Sequence, residues 1–319
     1  MKQIVGRLCI LAAGLLGLCA VVPDGYGETF SFAVIADPHI DGTAAHTTKL
    51  QTAVNWIIAN KTNDDIELAF VVGDIAWGGP ATNRNMAVAK GILDQLNLAG
   101  IPYIPIIGDN EATSGCDLEF ANTFGAQYSY LSGILSNWTK AALPVNGKYL
   151  QNFSFDYKYC HAICADFVSR TAGVEYGDLH DFTGGSWPWF TNNIAACAKP
   201  KKENIMVMTH IGMFRTGIQT ADQYLFSDAD LNTIKNFTKN YKSYISANYA
   251  GHIHCNWTQD VIDGWWIFGT LIYTSRVTDE TWYDVRGLES SDTTCTVRWV
   301  SVNNGGSPIT YTQHTVDVD

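Results

Sequence analysis

From position 30 to 110 the chain alternates short, almost wholly apolar runs with longer amphipathic ones. The run 30–36, Phe-Ser-Phe-Ala-Val-Ile-Ala, is too apolar for a strand with one wet face. It reads as a strand covered on both sides, as in a parallel sheet flanked by other layers. Leu50, Ala53, Val54, Ile57 and Ile58 follow at i, i+3, i+4, i+7 and i+8, one face of a helix. The run 68–72 predicts a second strand, and Ala89, Ile92, Leu93 and Leu96 a second helix face, which Gly100 and Pro102 bring to an end. A third apolar run covers 103–107. Strand–helix units in succession predict a parallel α/β layer.

Beyond 112 the pattern weakens. Residues 112–200 are rich in Gly, Ser, Asn and aromatics, and read as loops and an irregular insertion, with strands near 149–157 and 161–168. The stretch 184–189 reads as a turn entering a helix. A strand over 204–209 and a helix near 228–240 follow, the helix capped by Ser227 with Asp228 and Asp230 in its first turn. Another strand covers 244–250. From 257 onward, short runs at 265–268, 271–274, 294–302 and 309–316 alternate with turns and predict an antiparallel second half. The expected architecture is α/β: a two-sheet sandwich with helices outside, formed as a single domain over 28–319.

Residues 1–27 stand apart. Lys2 and Arg7 precede an apolar run from Leu8 to Val22, then Pro23, Asp24 and small residues. This layout predicts a secretory signal peptide and a secreted or periplasmic protein, with no transmembrane segment in the mature chain. Without those residues 18 Lys+Arg face 30 Asp+Glu, a net charge of −12. That argues against a nucleic-acid duplex as partner. The six remaining cysteines, Cys116, Cys160, Cys164, Cys197, Cys255 and Cys295, suggest disulfides in an exported protein.

The candidate chemistry lies at the ends of the apolar runs, where ligand sites of open α/β sheets occur. In order these ends carry Asp37 and His39, Asp74, Asp109, His210, and then His252 and His254. Each alone has an ordinary reading, as a turn former or a core histidine. Together they form a set of oxygen and nitrogen donors without a thiolate, suited to hard or borderline divalent ions. An extended backbone over 252–254 would put both imidazoles on one side. No Gly-x-Ser-x-Gly elbow or Cys–His signature for a protein nucleophile is present.

Asp37-Pro38-His39, Gly73-Asp74, Gly108-Asp109-Asn110-Glu111, the lone His210 and Gly251-His252-Ile253-His254 occur in this order. The set resembles the calcineurin-like metallophosphoesterases. The resemblance implies an αββα sandwich and a centre of two divalent or mixed-valence ions (Mn, Fe or Zn). It implies that Asp37, His39, Asp74 and His254 hold the first ion, that Asp74 bridges, and that Asp109, His210 and His252 complete the second site. The implied reaction is hydrolysis of a small phosphorylated substrate, a phosphomono- or phosphodiester, by metal-activated water.

Two departures bear on activity. Asp109 stands where the family has a ligand Asn, and Asn110 where it has a His. Asn110 is expected at the substrate, but its amide cannot deliver a proton. Trp77 stands where the related purple acid phosphatases carry a ligand Tyr. Arg215 is a candidate phosphate contact, with a plain surface role as the other reading. The alternative to an enzyme is a metal- or phospholigand-binding protein of the same fold with little catalysis.

Overall fold

The first apolar run forms β1 (Phe30–Ile35), every residue of it buried. Helix α1 (Ala44–Asn60) buries Leu50, Ala53, Val54 and Ile57, the stripe its spacing predicts. Strand β2 (Ile66–Val72), helix α2 (Thr82–Leu98) and strand β3 (Tyr103–Ile106) complete the repeating units. Gly100, at φ 74, turns the chain out of α2 in the left-handed conformation that glycine adopts without steric cost. The structure is a computed structural model and describes residues 29–77, 82–113, 115–198, 204–215, 222–254, 258–260, 271–274, 282–283, 289–290, 296–303 and 310–318. The export segment, the strand expected over 265–268, Cys255 and Cys295 lie outside these residues.

Residues 112–200 hold the two expected strands and the helix expected after 184–189, but more regular structure before them than the loop reading gave. A short helix α3 (Asp109–Thr113) leads into α4 (Asp117–Ile134). Strands β4 (Ser136–Lys140), β5 (Phe153–Tyr157) and β6 (Cys160–Cys164) and helix α5 (Ser186–Ala198) follow. Helix α4 carries Gly125 and Gly133, which weaken its local preference, but it buries Phe120, Phe124, Gln127, Tyr128 and Leu131. It also closes an open sheet edge: Gln127 Nε2 donates to the Tyr103 carbonyl at 2.5 Å and the Tyr128 hydroxyl to the Pro105 carbonyl at 2.8 Å.

Strand β7 (Ile205–Met208), helix α6 (Asp228–Thr238) and strand β8 (Ile245–Ala250) come next. Ser227 caps α6, its hydroxyl accepting from the Asp230 amide at 3.1 Å. The remaining strands are β9 (Thr258–Asp260), β10 (Leu271–Thr274), β11 (Trp282–Tyr283), β12 (Glu289–Ser290), β13 (Thr296–Asn303) and β14 (Thr310–Asp317).

Two mixed sheets result, ordered β14-β13-β1-β2-β3 and β4-β5-β6-β7-β8-β10-β9, with β11 and β12 paired separately. The last part of the chain is not wholly antiparallel as expected. Strand β13 runs antiparallel to β1 and β14, but β10 runs parallel to β8. The β9–β10 hairpin places its second strand against β8, so β9 runs back along the outer edge. The sheets pack face to face through aromatic pairs, Phe32 on Tyr249 at 5.2 Å and Phe70 on Phe155 at 6.2 Å. Disulfide pairing is not met at Cys160 and Cys164, whose thiols are free and buried. They lie four residues apart on one strand, roughly 13 Å, beyond the reach of a bridge. Burial pushes the Cys160 thiol up to about 12.

Candidate metal centre

The ends of β1, β2 and β3 bring Asp37, His39, Asp74 and Asp109 to one edge of the first sheet. The ends of β7 and β8 bring His210, His252 and His254 from the second. All three carboxylates thus come from one sheet and three of the four imidazoles from the other. Asp37, His39, Asp74 and His254 form one group, and Asp74, Asp109, His210 and His252 a second; within each, donor atoms lie within 4.8 Å of one another. Asp74 belongs to both.

The backbone at these residues is unusual. Asp37, His39, Asp74, His252 and His254 all have φ between 47° and 76°. Left-handed backbone at such residues costs on the order of 1–3 kcal/mol each and concentrates at functional sites. The 252–254 segment is therefore a turn and not the expected extended strand. That turn sends His252 to one group and His254 to the other, where an extended strand would have kept them together. Close approach explains two glycines: a Cβ at Gly73 would sit 2.2 Å from His210 Nδ1, and one at Gly108 2.0 Å from the Asp74 amide.

The second group shows how the imidazoles are set. His210 Nδ1 lies 2.9 Å from the Val72 carbonyl, and His252 Nε2 lies 2.9 Å from the Tyr224 carbonyl. A carbonyl only accepts, so these nitrogens carry the protons. The other nitrogens, His210 Nε2 and His252 Nδ1, both face Asp109 Oδ1, at 2.7 and 3.0 Å. In neutral rings those are lone pairs aimed at a carboxylate oxygen. The arrangement calls for positive charge there, from protons or from a cation, and an N₂O₂ donor set of this kind fits a divalent ion.

The electrostatics agree. Burial opposes charge on His210, but the Asp74 and Asp109 carboxylates outweigh it and hold the imidazolium form well above its ordinary range. Burial also raises the carboxyls, yet His210 and His39 keep Asp74 well below its usual value. Asp37 is pushed up to about 7, chiefly by burial, with the Asp74 charge adding to it.

Asn110 Nδ2 donates to Asp74 Oδ2 at 2.6 Å and its backbone amide to Asp74 Oδ1 at 3.0 Å. Trp77 places its ring 4.9 Å from that of His39 and is 37% exposed. Arg215 lies outside both groups; its Nη2 pairs with Asp228 Oδ1 at 2.7 Å and its Nη1 donates to the Asp222 carbonyl. Of the other histidines, His46 Nδ1 bonds the His39 carbonyl at 3.1 Å and His180 Nε2 the Val168 carbonyl at 2.8 Å.

Sequence reasoning gave Glu111 no part. Fully buried, it accepts from the Ala76 amide at 2.7 Å and the Gly108 amide at 2.8 Å, clamping the loops that carry Asp74 and Asp109. An acid directly after Asp109-Asn110 was the available signal. The Tyr224 carbonyl carried none, because a backbone contact leaves no mark on residue type.

The calcineurin-like phosphoesterase family matches residues 30–256. No curated protein matches the chain. Among solved structures, a dimetal phosphatase from Danio rerio is similar over 91% of this chain and 99% of its own, at 12% identity and TM-score 0.56. A putative 5′-nucleotidase from Staphylococcus aureus is similar over 91% of this chain and 54% of its own, at 14% identity and TM-score 0.51. A purple acid phosphatase from yellow lupin seeds gives 91%, 54%, 12% and 0.50. At these identities the likeness speaks for the fold.

Proposed function

This chain belongs to the calcineurin-like phosphoesterases, and from that membership we propose that it is an exported, metal-dependent hydrolase of phosphomono- or phosphodiesters. Asp37, His39, Asp74 and His254 would hold one ion, and Asp74, Asp109, His210 and His252 a second, with Asp74 between them. The observation that carries the reading is Asp109 Oδ1 facing the lone-pair nitrogens of His210 and His252 at 2.7 and 3.0 Å. The export part rests on the charged, apolar, small-residue order of 1–27. Among the described residues no helix is long and apolar enough to cross a membrane.

Ions bound there would supply neutralisation of phosphoryl oxygens and a more acidic water, so the chain needs no nucleophile of its own. Its residues set the geometry. The Val72 and Tyr224 carbonyls fix which nitrogen of His210 and of His252 is presented. Asn110 holds both oxygens of Asp74 and can stabilise charge, but it carries no proton to hand to a leaving alcohol. The substrate reading is therefore an ester whose alcohol leaves readily.

The test is turnover of bis(p-nitrophenyl) phosphate with added Mn²⁺, alongside elemental analysis. Two ions per chain and activity lost on chelation are expected. Two ions without turnover of any mono- or diester would favour the binding-protein alternative, and fewer than two ions would remove the dinuclear assignment.

A further inference from the structure

Arg215 was a candidate phosphate contact, but its guanidinium is already engaged. Nη1 donates to the Asp222 carbonyl and Nη2 pairs with Asp228 Oδ1 at 2.7 Å. Asp222 begins a tight turn, in which the Leu225 amide also reaches the Asp222 carbonyl, at 3.3 Å. Tyr224 sits inside that turn, and its carbonyl receives His252 Nε2 at 2.9 Å. The far side of the turn is anchored by burial: Leu225 and Phe226 are each 1% exposed, and the Leu225 carbonyl accepts from Gly177. The turn also borders a cavity of about 630 Å³, whose lining includes Tyr176, Gln223, Leu225, Phe226 and Asp228. Arg215 joins this turn to Asp228, the first residue of α6.

We propose that Arg215 is a positioning residue for the second metal site: by tying Asp222 to Asp228 it holds the Tyr224 carbonyl on His252 Nε2 and so presents Nδ1 to the ion. The exposed part of the ion pair is worth little by itself, because Asp228 is 84% exposed. The effect comes from the guanidinium spanning two acceptors at once, which a lysine cannot do. The inference rests on the dinuclear reading above.

The experiment is Mn²⁺ titration by calorimetry, with electron paramagnetic resonance to separate a lone ion from a spin-coupled pair. Losing an orienting partner of a ligand typically costs about 10–100-fold in metal affinity. Arg215→Ala is expected to bind the first ion as wild type does and the second about 10–100-fold more weakly. Arg215→Lys should recover only part of the loss. Asp228→Asn should weaken the second ion in the same direction, with circular dichroism reporting the fold of each variant. In a His252→Ala background, Arg215→Ala should add no further loss of affinity, since the ligand it positions is already gone. Wild type binding two ions and Arg215→Ala binding both equally well would overturn the proposal alone. So would an unchanged second ion with a raised KM, the mark of a phosphate contact. Wild type binding fewer than two ions would overturn the dinuclear reading and this proposal together.

Discussion

Gly73 leaves no room for a methyl group. A Cβ there would press on the His210 ring at 2.2 Å, and the residue sits at φ 91, where an L-side chain is strained. Gly73→Ala should therefore displace His210 from the second group, and elemental analysis should find its ion depleted while the first is retained. Full occupancy of both sites would show that the strand end yields instead. Asn110 invites the opposite kind of test. Bound to Asp74 through its amide, it provides no general acid, so rates should fall steeply as leaving-group pKa rises. Asn110→His should flatten that dependence, regaining part of the about 10²–10⁴-fold that proton donation supplies. A flat series in the wild type would assign the proton to another group.

At the scale of elements, a buried ion pair pins α4 to the segment after β6. Asp166 is fully buried and accepts from Arg170 Nη1 at 2.9 Å and Nη2 at 2.5 Å, and from the Gln151 amide at 2.8 Å. Arg170 Nε also reaches Asp117, the first residue of α4, at 3.3 Å. Burial alone would raise the Asp166 carboxyl, but the Arg170 guanidinium outweighs it and leaves the group below its ordinary value. A depressed carboxyl contributes stability above its unfolded pKa of roughly 3.9 and loses it as pH falls through the folded value. Arg170→Met leaves the carboxylate buried and unpaired, which should cost about 3–5 kcal/mol at pH 7. In urea unfolding the gap from wild type should narrow as pH falls, starting above the ordinary carboxylate range, because without Arg170 burial alone raises Asp166 and it takes up its proton sooner. A gap that stays constant with pH would mean that Arg170 acts by packing and not by charge. The loop reading of 112–200 failed at this same place. Glycines and scattered polar residues hid the α4 stripe, and the helix persists because Gln127 and Tyr128 close the edge of β3.

For the whole molecule, the candidate centre is also a joint between the two sheets. Carboxylates from the ends of β1, β2 and β3 meet imidazoles from the ends of β7 and β8. Ions that bind this assembled set, and not the unfolded chain, stabilise the fold by mass action, about 2.7 kcal/mol per site at a hundredfold excess over Kd. Chelation should lower Tm reversibly, and in Asp74→Ala, where the shared ligand is missing, Tm should no longer respond to Mn²⁺. Equal Tm with and without ions in the wild type would count against a centre built across the sheets.

The amino-acid sequence by itself determined the strands of the first sheet, because residues buried on both faces leave an uninterrupted apolar run. It also marked the candidate ligands, because donor residues placed directly after such runs come together at one edge of a sheet. Local rules were enough for the start of α6, where Ser227 caps the first turn. Tertiary structure decided what local pattern does not encode. It made β10 parallel to β8, since strand direction depends on which strand of the β9–β10 pair lies against β8. It set Cys160 and Cys164 too far apart along one strand to bridge each other, since a disulfide needs close Cα atoms. It put His252 and His254 in left-handed backbone, dividing the two histidines between two groups. It also gave Arg215 its partners, because an ion pair and a backbone carbonyl are chosen by proximity, which only the folded chain supplies.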